Sequence, residues 1–173
     1  SATKYVQFRY YPDYLRTKRW ERTITDTTYV CNALGLSPIL SDIIVDGGNI
    51  VRSADTVIMC DKVFRENPAI PEMILIKRLQ QLLGVGRIIF IPQDPCDFTG
   101  HADGMVRFLD ADTVLINRDT GDDAHFYTAL RMSLHNAGLR YVEVPYVPDN
   151  SCYDSAIGLY LNFLQMENVI LLP

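Results

Sequence analysis

The sequence predicts an α/β fold built from repeated units of strand, strand, helix and strand. Short segments rich in β-branched and aromatic residues alternate with segments of helical periodicity, and a four-residue sequence recurs within the same order of elements. The chain has 173 residues, of which 48% are hydrophobic, which is enough for the core of one ordinary domain. We therefore expect one α/β domain whose units resemble one another.

Nine segments are predicted to be β-strands, because each combines β-branched or aromatic residues with Gly, Asp, Asn or Pro at its ends. In chain order they are 5–11, 42–47, 55–60, 87–92, 104–109, 112–117, 140–147, 159–164 and 168–173.

Three segments between these strands are predicted to be helices. Residues 69–83 have apolar side chains at helical spacing and end before Gly84. Residues 122–137 begin at the capping residue Asp122 and end before Gly138. A weaker pattern covers residues 22–34.

The repeat defines the predicted organisation of the chain. The sequence ADTV at 54–57 returns at 111–114, and the surrounding strands and helices follow in the same order. Two complete units are expected at about 49–94 and 104–149, and partial units at 1–48 and 150–173. Such units bury one face against their neighbours and normally form a closed or capped set. We therefore expect residues 1–173 to be a partial domain, cut at both ends.

Charge and composition exclude several classes of partner. A net charge of -5 argues against a nucleic-acid binder, which needs clustered Lys and Arg, and favours a cationic ligand. The sequence has no apolar run long enough to cross a membrane.

The four cysteines lack C-x-x-C spacing, which predicts reduced thiols. The sequence does not identify the cell compartment, although a cytoplasmic location is favoured.

The stretch TGHADG at 99–104 is the first candidate site. His101 and Asp103 are two residues apart, so on an extended segment their side chains face one side, where a histidine can carry a proton beside a carboxylate. A surface histidine beside a turn aspartate is the alternative interpretation. His125 and His135 lie ten residues apart and lack a metal-binding motif, so we expect no metal site.

The stretch VDGGNI at 45–50 is the second candidate. Its glycines suit a tight turn, which explains them without function, but they also let the backbone approach a ligand closely. Asp46 would then present two oxygens to a planar group of N–H donors.

Together these motifs and the repeat resemble the guanidino-group-modifying superfamily, whose pentein fold is a five-bladed α/β propeller of ββαβ units. The sequence is most similar to the agmatine deiminase and bacterial peptidyl-arginine deiminase family. That family has Glu-Gly-Gly-Asn at the place of residues 46–49 and Gly-His-x-Asp at the place of residues 100–103. Residues 107–108 and 160–163 also have counterparts in the family. The resemblance implies a fragment with about three of the five units.

The resemblance also implies a mechanism without a metal or cofactor. In this family a cysteine thiolate attacks the guanidinium carbon of agmatine or peptidyl-arginine. By resemblance His101 would be the acid and base, Asp103 would join it in the catalytic site, and Asp46 and Asp103 would grip the guanidinium.

The sequence departs from the family pattern at three points. Asp46 is one methylene shorter than the usual glutamate, and the upstream Arg-Asp motif has no visible counterpart. The nucleophilic cysteine of the family lies beyond the segment that ends at Pro173, so we expect these 173 residues alone to be inactive. Cys96 lies among acidic residues, which raise the pKa of a thiol, and Cys152 lies where the family has no nucleophile.

Two other functions remain open on the sequence. An amidinotransferase of the same fold would pass the amidino group to an amine, and a non-catalytic pentein would only bind its ligand.

Incomplete units would also expose unpaired strand edges, which predicts self-association of the fragment.

Overall fold

The structure is a computed structural model that describes residues 4–118, 121, 123–147 and 157–172. It confirms a mixed α/β fold, with four α-helices and ten short strands among these residues. In chain order they are β1 (Val6–Arg9), α1 (Thr27–Ala33), β2 (Ile39–Ile44), β3 (Val51–Ser53), β4 (Thr56–Cys60), α2 (Lys62–Glu66), α3 (Glu72–Leu83), β5 (Arg87–Ile91), β6 (Val106–Phe108), β7 (Thr113–Asn117), α4 (Ala124–Asn136), β8 (Arg140–Val144), β9 (Leu164–Gln165) and β10 (Ile170–Leu171).

Two three-stranded sheets have the same topology. In the first, β3 pairs antiparallel with β4, and β4 pairs parallel with β5 after a crossover that contains α2 and α3. In the second, β6 pairs antiparallel with β7, and β7 pairs parallel with β8 after a crossover through α4. The antiparallel pair in each sheet is joined by a hairpin, whereas the parallel pair needs a crossover, which here is helical. The predicted order of elements is thus observed twice, while the unit boundaries stay predictions.

The helices differ from prediction mainly at their ends. Helix α3 begins after Pro71 and ends at Gly84, which has the left-handed φ of 63° that favours glycine. The predicted cap Asp122 lies outside the described residues, and the Asp123 side chain accepts a hydrogen bond from the Phe126 amide at the start of α4. Helix α1 is shorter than predicted, because its cap is Asp26 and residues 21–23 form a separate 3₁₀ turn.

The predicted strands near the end of the chain are largely wrong. Of 159–164 and 168–173, only Leu164–Gln165 and Ile170–Leu171 are strands within the described part. In the first of these segments the Asn162 amide donates a hydrogen bond to the Leu159 carbonyl in a turn, and Leu161 is buried. Burial against the rest of the protein therefore replaces strand pairing in this segment.

Two hydrophobic cores lie on the two faces of β4. Ile58 and Cys60 face one core, which also contains residues of β6, β7 and α4, whereas Val57 and Met59 face the other, which contains residues of α3. This alternation follows from the two-residue period of a strand. Because the first core joins both sheets, the segments that lead into β3 and β6 lie against each other. Among the described residues, no helix combines the length and the apolar character needed to cross a bilayer.

Candidate active site

Asp46 lies directly before a 3₁₀ turn, Gly47–Asn49, that leads into β3. The Asn49 side chain is buried and makes two hydrogen bonds with the Cys60 backbone: it accepts from the amide at 2.7 Å and donates to the carbonyl at 3.3 Å. These bonds fix the turn to the end of β4. Asp46, directly before this turn, is therefore held near the end of β4.

His101 occupies the corresponding position before the 3₁₀ turn Ala102–Gly104, which leads into β6. The Asp97 carboxylate accepts hydrogen bonds from the amides of Thr99 (2.8 Å) and His101 (3.1 Å). Gly100 has a φ of 62°, and an added Cβ there would lie 2.7 Å from the Gln93 side chain. A glycine and an aspartate thus shape the loop that carries His101.

The structure brings Asp46 and His101 into direct contact. The imidazole Nε2 lies 2.8 Å from Asp46 Oδ2. The Asp46 side chain is 2% exposed, whereas that of His101 is 21% exposed and reaches the surface. A buried carboxylate in this position orients the imidazole ring.

The second oxygen of Asp46 has no hydrogen-bond partner. Among the described residues, Asp46 Oδ1 and Asn117 Oδ1 are the two buried side-chain polar atoms in this condition. A buried carboxylate oxygen is normally satisfied, because leaving it unpaired costs free energy. An N–H donor from a bound molecule would complete the hydrogen bonding of Asp46.

Asp103 lies near the imidazole, and both groups lie against the backbone of Gly48 in the first turn. A Cβ at Gly48 would lie 2.4 Å from His101 Nδ1 and 3.1 Å from Asp103 Oδ2. Burial raises the pKa of the Asp103 carboxyl, while the nearby His101 and Arg107 partly oppose the rise. The structure therefore places His101 in contact with Asp46 and brings Asp103 close to His101 at Gly48.

Replacement of Asp103 with asparagine is expected to stabilise the protein at pH 7. A carboxyl whose pKa is raised in the folded state favours folding below its unfolded pKa of about 3.9, and this contribution is lost as pH rises through the folded pKa. The uncharged variant avoids that loss. Urea unfolding should give Asp103→Asn the higher free energy at pH 7 and nearly equal values at pH 3; a variant less stable at pH 7 would contradict the effect of burial.

Lys62, in α2, is a site residue that sequence analysis missed. Its Nζ lies 3.6 Å from Asp46 Oδ2 and within 4 Å of carboxylate oxygens of Asp13 and Glu66. The Tyr14 ring packs edge-on to His101, with centroids 5.9 Å apart. Burial raises the pKa of Glu66 and of the Tyr14 hydroxyl. The only sequence signal is the i,i+4 spacing of Lys62 and Glu66, which is common on solvated helices.

Cys60, at the end of β4 beside the candidate site, does not offer an activated thiol. Cys60 is buried, and burial raises its pKa to about 12, so its thiolate form is rare at neutral pH. Cys31 is half-buried and Cys96 is exposed, whereas Cys152 lies outside the described residues. In the part of the chain that the structure covers, no three His, Cys, Asp or Glu side chains converge as metal ligands.

Solved structures with the same fold include agmatine deiminases. The C. jejuni enzyme matches with a TM-score of 0.72 at 17% identity, over 96% of this chain and 53% of that chain. A variant of that enzyme with substrate bound gives 0.76 at 17% identity, over 98% and 54%. The Enterococcus faecalis enzyme gives 0.63 at 17% identity, over 86% and 50%. The chain thus spans about half the length of these structures.

Sequence comparison identifies the family. A search of curated proteins found no match. The family model described as Porphyromonas-type peptidyl-arginine deiminase matches residues 2–173, which is nearly the whole chain. Since the match includes both motifs and all described elements, the chain belongs to the Porphyromonas-type peptidyl-arginine deiminase family.

Proposed function

We propose that residues 1–173 supply the acid–base histidine and the acidic grip of a guanidine deiminase. The observation that carries this proposal is the contact of His101 Nε2 with Asp46 Oδ2 beside a second, buried and unpartnered oxygen of the same carboxylate. A guanidinium presents planar N–H groups that match carboxylate oxygens. In this arrangement Asp46 and Asp103 hold the cation, and His101 exchanges protons with it.

The proposed reaction proceeds through a covalent intermediate. A cysteine thiolate from outside these residues forms a C–S bond with the guanidinium carbon, and one C–N bond breaks as His101 donates a proton to the departing ammonia. His101 then takes a proton from water, whose oxygen bonds to the same carbon. The C–S bond then breaks, which returns the thiolate and leaves a ureido product. The added hydroxyl loses its remaining proton in this step, and the released ammonia takes that proton up as ammonium.

The acidic groups near His101 favour a small guanidine or an arginine side chain as substrate. One structural neighbour is an agmatine deiminase with substrate bound, and the description of the family names peptidyl-arginine as the group that is deiminated. Agmatine and peptidyl-arginine are therefore the two substrates to test first.

We further propose that the two similar sheets are neighbouring units of a pentein ring. They share one hydrophobic core, and Asp46 and His101 precede equivalent 3₁₀ turns in them. Successive units would thus each contribute one residue to a common site. The partial units at 1–48 and 150–173 would complete the part of the ring that this chain provides.

The direct test is product analysis with the full polypeptide that contains these residues. Ammonia and a ureido product should form from agmatine or from an arginine peptide, without an added amine. If product forms only with an amine acceptor, the protein is an amidinotransferase. If neither reaction occurs although the guanidine binds, the protein is a binding module and the proposed activity is wrong.

Replacement of Gly48 with alanine is expected to reduce kcat/KM by about 10- to 100-fold. The new Cβ would displace the imidazole, since it would lie 2.4 Å from His101 Nδ1, and misplacement by about 1 Å costs up to ~100-fold. Gly47→Ala is the matched control, because its Cβ would meet no atom within 4 Å. Equal kinetics for the two variants would contradict the role of the His101 position.

A further inference from the structure

The ammonium group of Lys62 is fully buried beside the candidate active site. Its side chain is 0% exposed, and its Nζ lies 3.3 Å from Asp13 Oδ1, 3.6 Å from Asp46 Oδ2 and 3.6 Å from Glu66 Oε1. A charge in such a place is tolerated only with close partners of opposite charge. Three carboxylates from three separate segments therefore meet at this one cation.

Lys62 also connects the two segments that carry the candidate acid–base pair. Its Nζ donates a hydrogen bond to the Thr99 carbonyl at 2.5 Å, two residues before His101. The Tyr14 ring lies against both groups, with its centroid 5.2 Å from Lys62 Nζ and 5.9 Å from the imidazole centroid. One side chain thus contacts the Asp46 carboxylate and the backbone of the His101 loop.

These contacts fix the orientation of the Asp46 carboxylate. Asp46 Oδ2 lies 2.8 Å from His101 Nε2 and 3.6 Å from Lys62 Nζ, whereas Asp46 Oδ1 has no hydrogen-bond partner. A close imidazole contact and an ion pair on the same oxygen disfavour rotation of the carboxylate, because rotation would move that oxygen away from both groups. Oδ1 consequently stays directed away from protein donors.

We propose that Lys62 is a positioning residue of the guanidine site, which holds Asp46 and the His101 loop so that Asp46 Oδ1 accepts an N–H of the substrate. This inference rests on the proposed function. Lys62 does not touch the substrate; it acts through Asp46 and Thr99. A purely structural role, in which Lys62 only neutralises Glu66 four residues later, is the alternative.

The kinetic test uses the full polypeptide and the double variant Lys62→Met with Glu66→Gln. Lys62→Met alone removes the buried cation beside the buried carboxylates of Asp46 and Glu66 and is prone to unfold, whereas the double change removes one charge of each sign. We expect the double variant to fold and its kcat for agmatine or an arginine peptide to fall by about 100-fold, with a smaller change in KM. Lys77→Met, at an exposed position of α3, is the matched control.

The outcomes separate this inference from the proposed function. If the wild-type protein neither binds nor converts a guanidine, the proposed function fails. If the wild type is active and the folded double variant keeps its kcat within about threefold, Lys62 is only a structural partner of Glu66 and the positioning role is wrong.

A crystal structure of the wild-type protein with guanidinium chloride decides the case in which the double variant does not fold. We expect a guanidinium N–H to bind Asp46 Oδ1 while Lys62 Nζ stays beside Oδ2 and the Thr99 carbonyl. A guanidinium that displaces Lys62 from Oδ2, or that binds away from Asp46, would overturn the proposal.

Discussion

Replacement of His101 with alanine is expected to lower kcat/KM for the guanidine substrate by about 10²–10⁴-fold in the full polypeptide. The imidazole is the proton carrier in both halves of the proposed reaction, and general acid–base catalysis typically contributes a factor of this size. The side chain is 21% exposed and reaches the surface, so the space left by its removal is open to water. The folded state should therefore persist, and steady-state kinetics together with thermal unfolding will check both statements.

His125→Ala is the matched control for this experiment. His125 lies at an exposed position of α4, so its loss removes an imidazole without changing the site. The control should keep the kinetic constants of the wild type. If His101→Ala keeps them as well, His101 is not the acid and base of the reaction.

Replacement of Asp46 with asparagine should weaken binding of the transition state by about 2–5 kcal/mol. Truncation of one partner in a buried, hydrogen-bonded charge pair typically costs this much, which corresponds to about 30- to 5000-fold in kcat/KM. Asparagine keeps the shape of the side chain but removes the negative charge that we propose holds the guanidinium. Kinetics with agmatine and with an arginine peptide will measure the loss.

The stability of the Asp46 variant separates its chemical role from a folding role. Lys62 keeps the carboxylates of Asp13 and Glu66 after the change, so its ammonium is not left alone. Asp42→Asn is the matched control, because Asp42 lies on β2 and its exposed carboxylate pairs with Arg78 of α3. An Asp46→Asn protein that folds and retains kcat/KM within about twofold would refute the proposed grip.

The fold was predictable where local pattern and tertiary packing agree. The repeated ADTV sequence marks equivalent strands, β4 and β7, and both lie at the centre of their sheets. Helix α3 shows its amphipathic spacing and its terminal Gly84 in the sequence. In contrast, α2 has five residues and β3 has three, and such short elements show no recognisable hydrophobic periodicity in the sequence.

The candidate site was predictable only in part. The motifs around Asp46 and His101 single out residues in two turns, and the structure shows that these turns touch. Nothing in the sequence near Lys62 distinguishes it from a solvated helix residue. Its partners Asp13 and Thr99 lie 49 and 37 residues away, and no local pattern encodes such distances.

By itself the sequence determined the α/β class, the order of strands and helices in two similar units, and the motifs that point to guanidine chemistry. Only the tertiary structure decided that Lys62 is buried among three carboxylates, that Asp46 binds His101 through one oxygen, and that the segment 159–163 forms turns. The physical reason is the distance along the chain over which each effect acts. Backbone preference and hydrophobic period act over a few neighbouring residues, whereas the burial and pairing of a charge depend on groups brought together from distant parts of the chain.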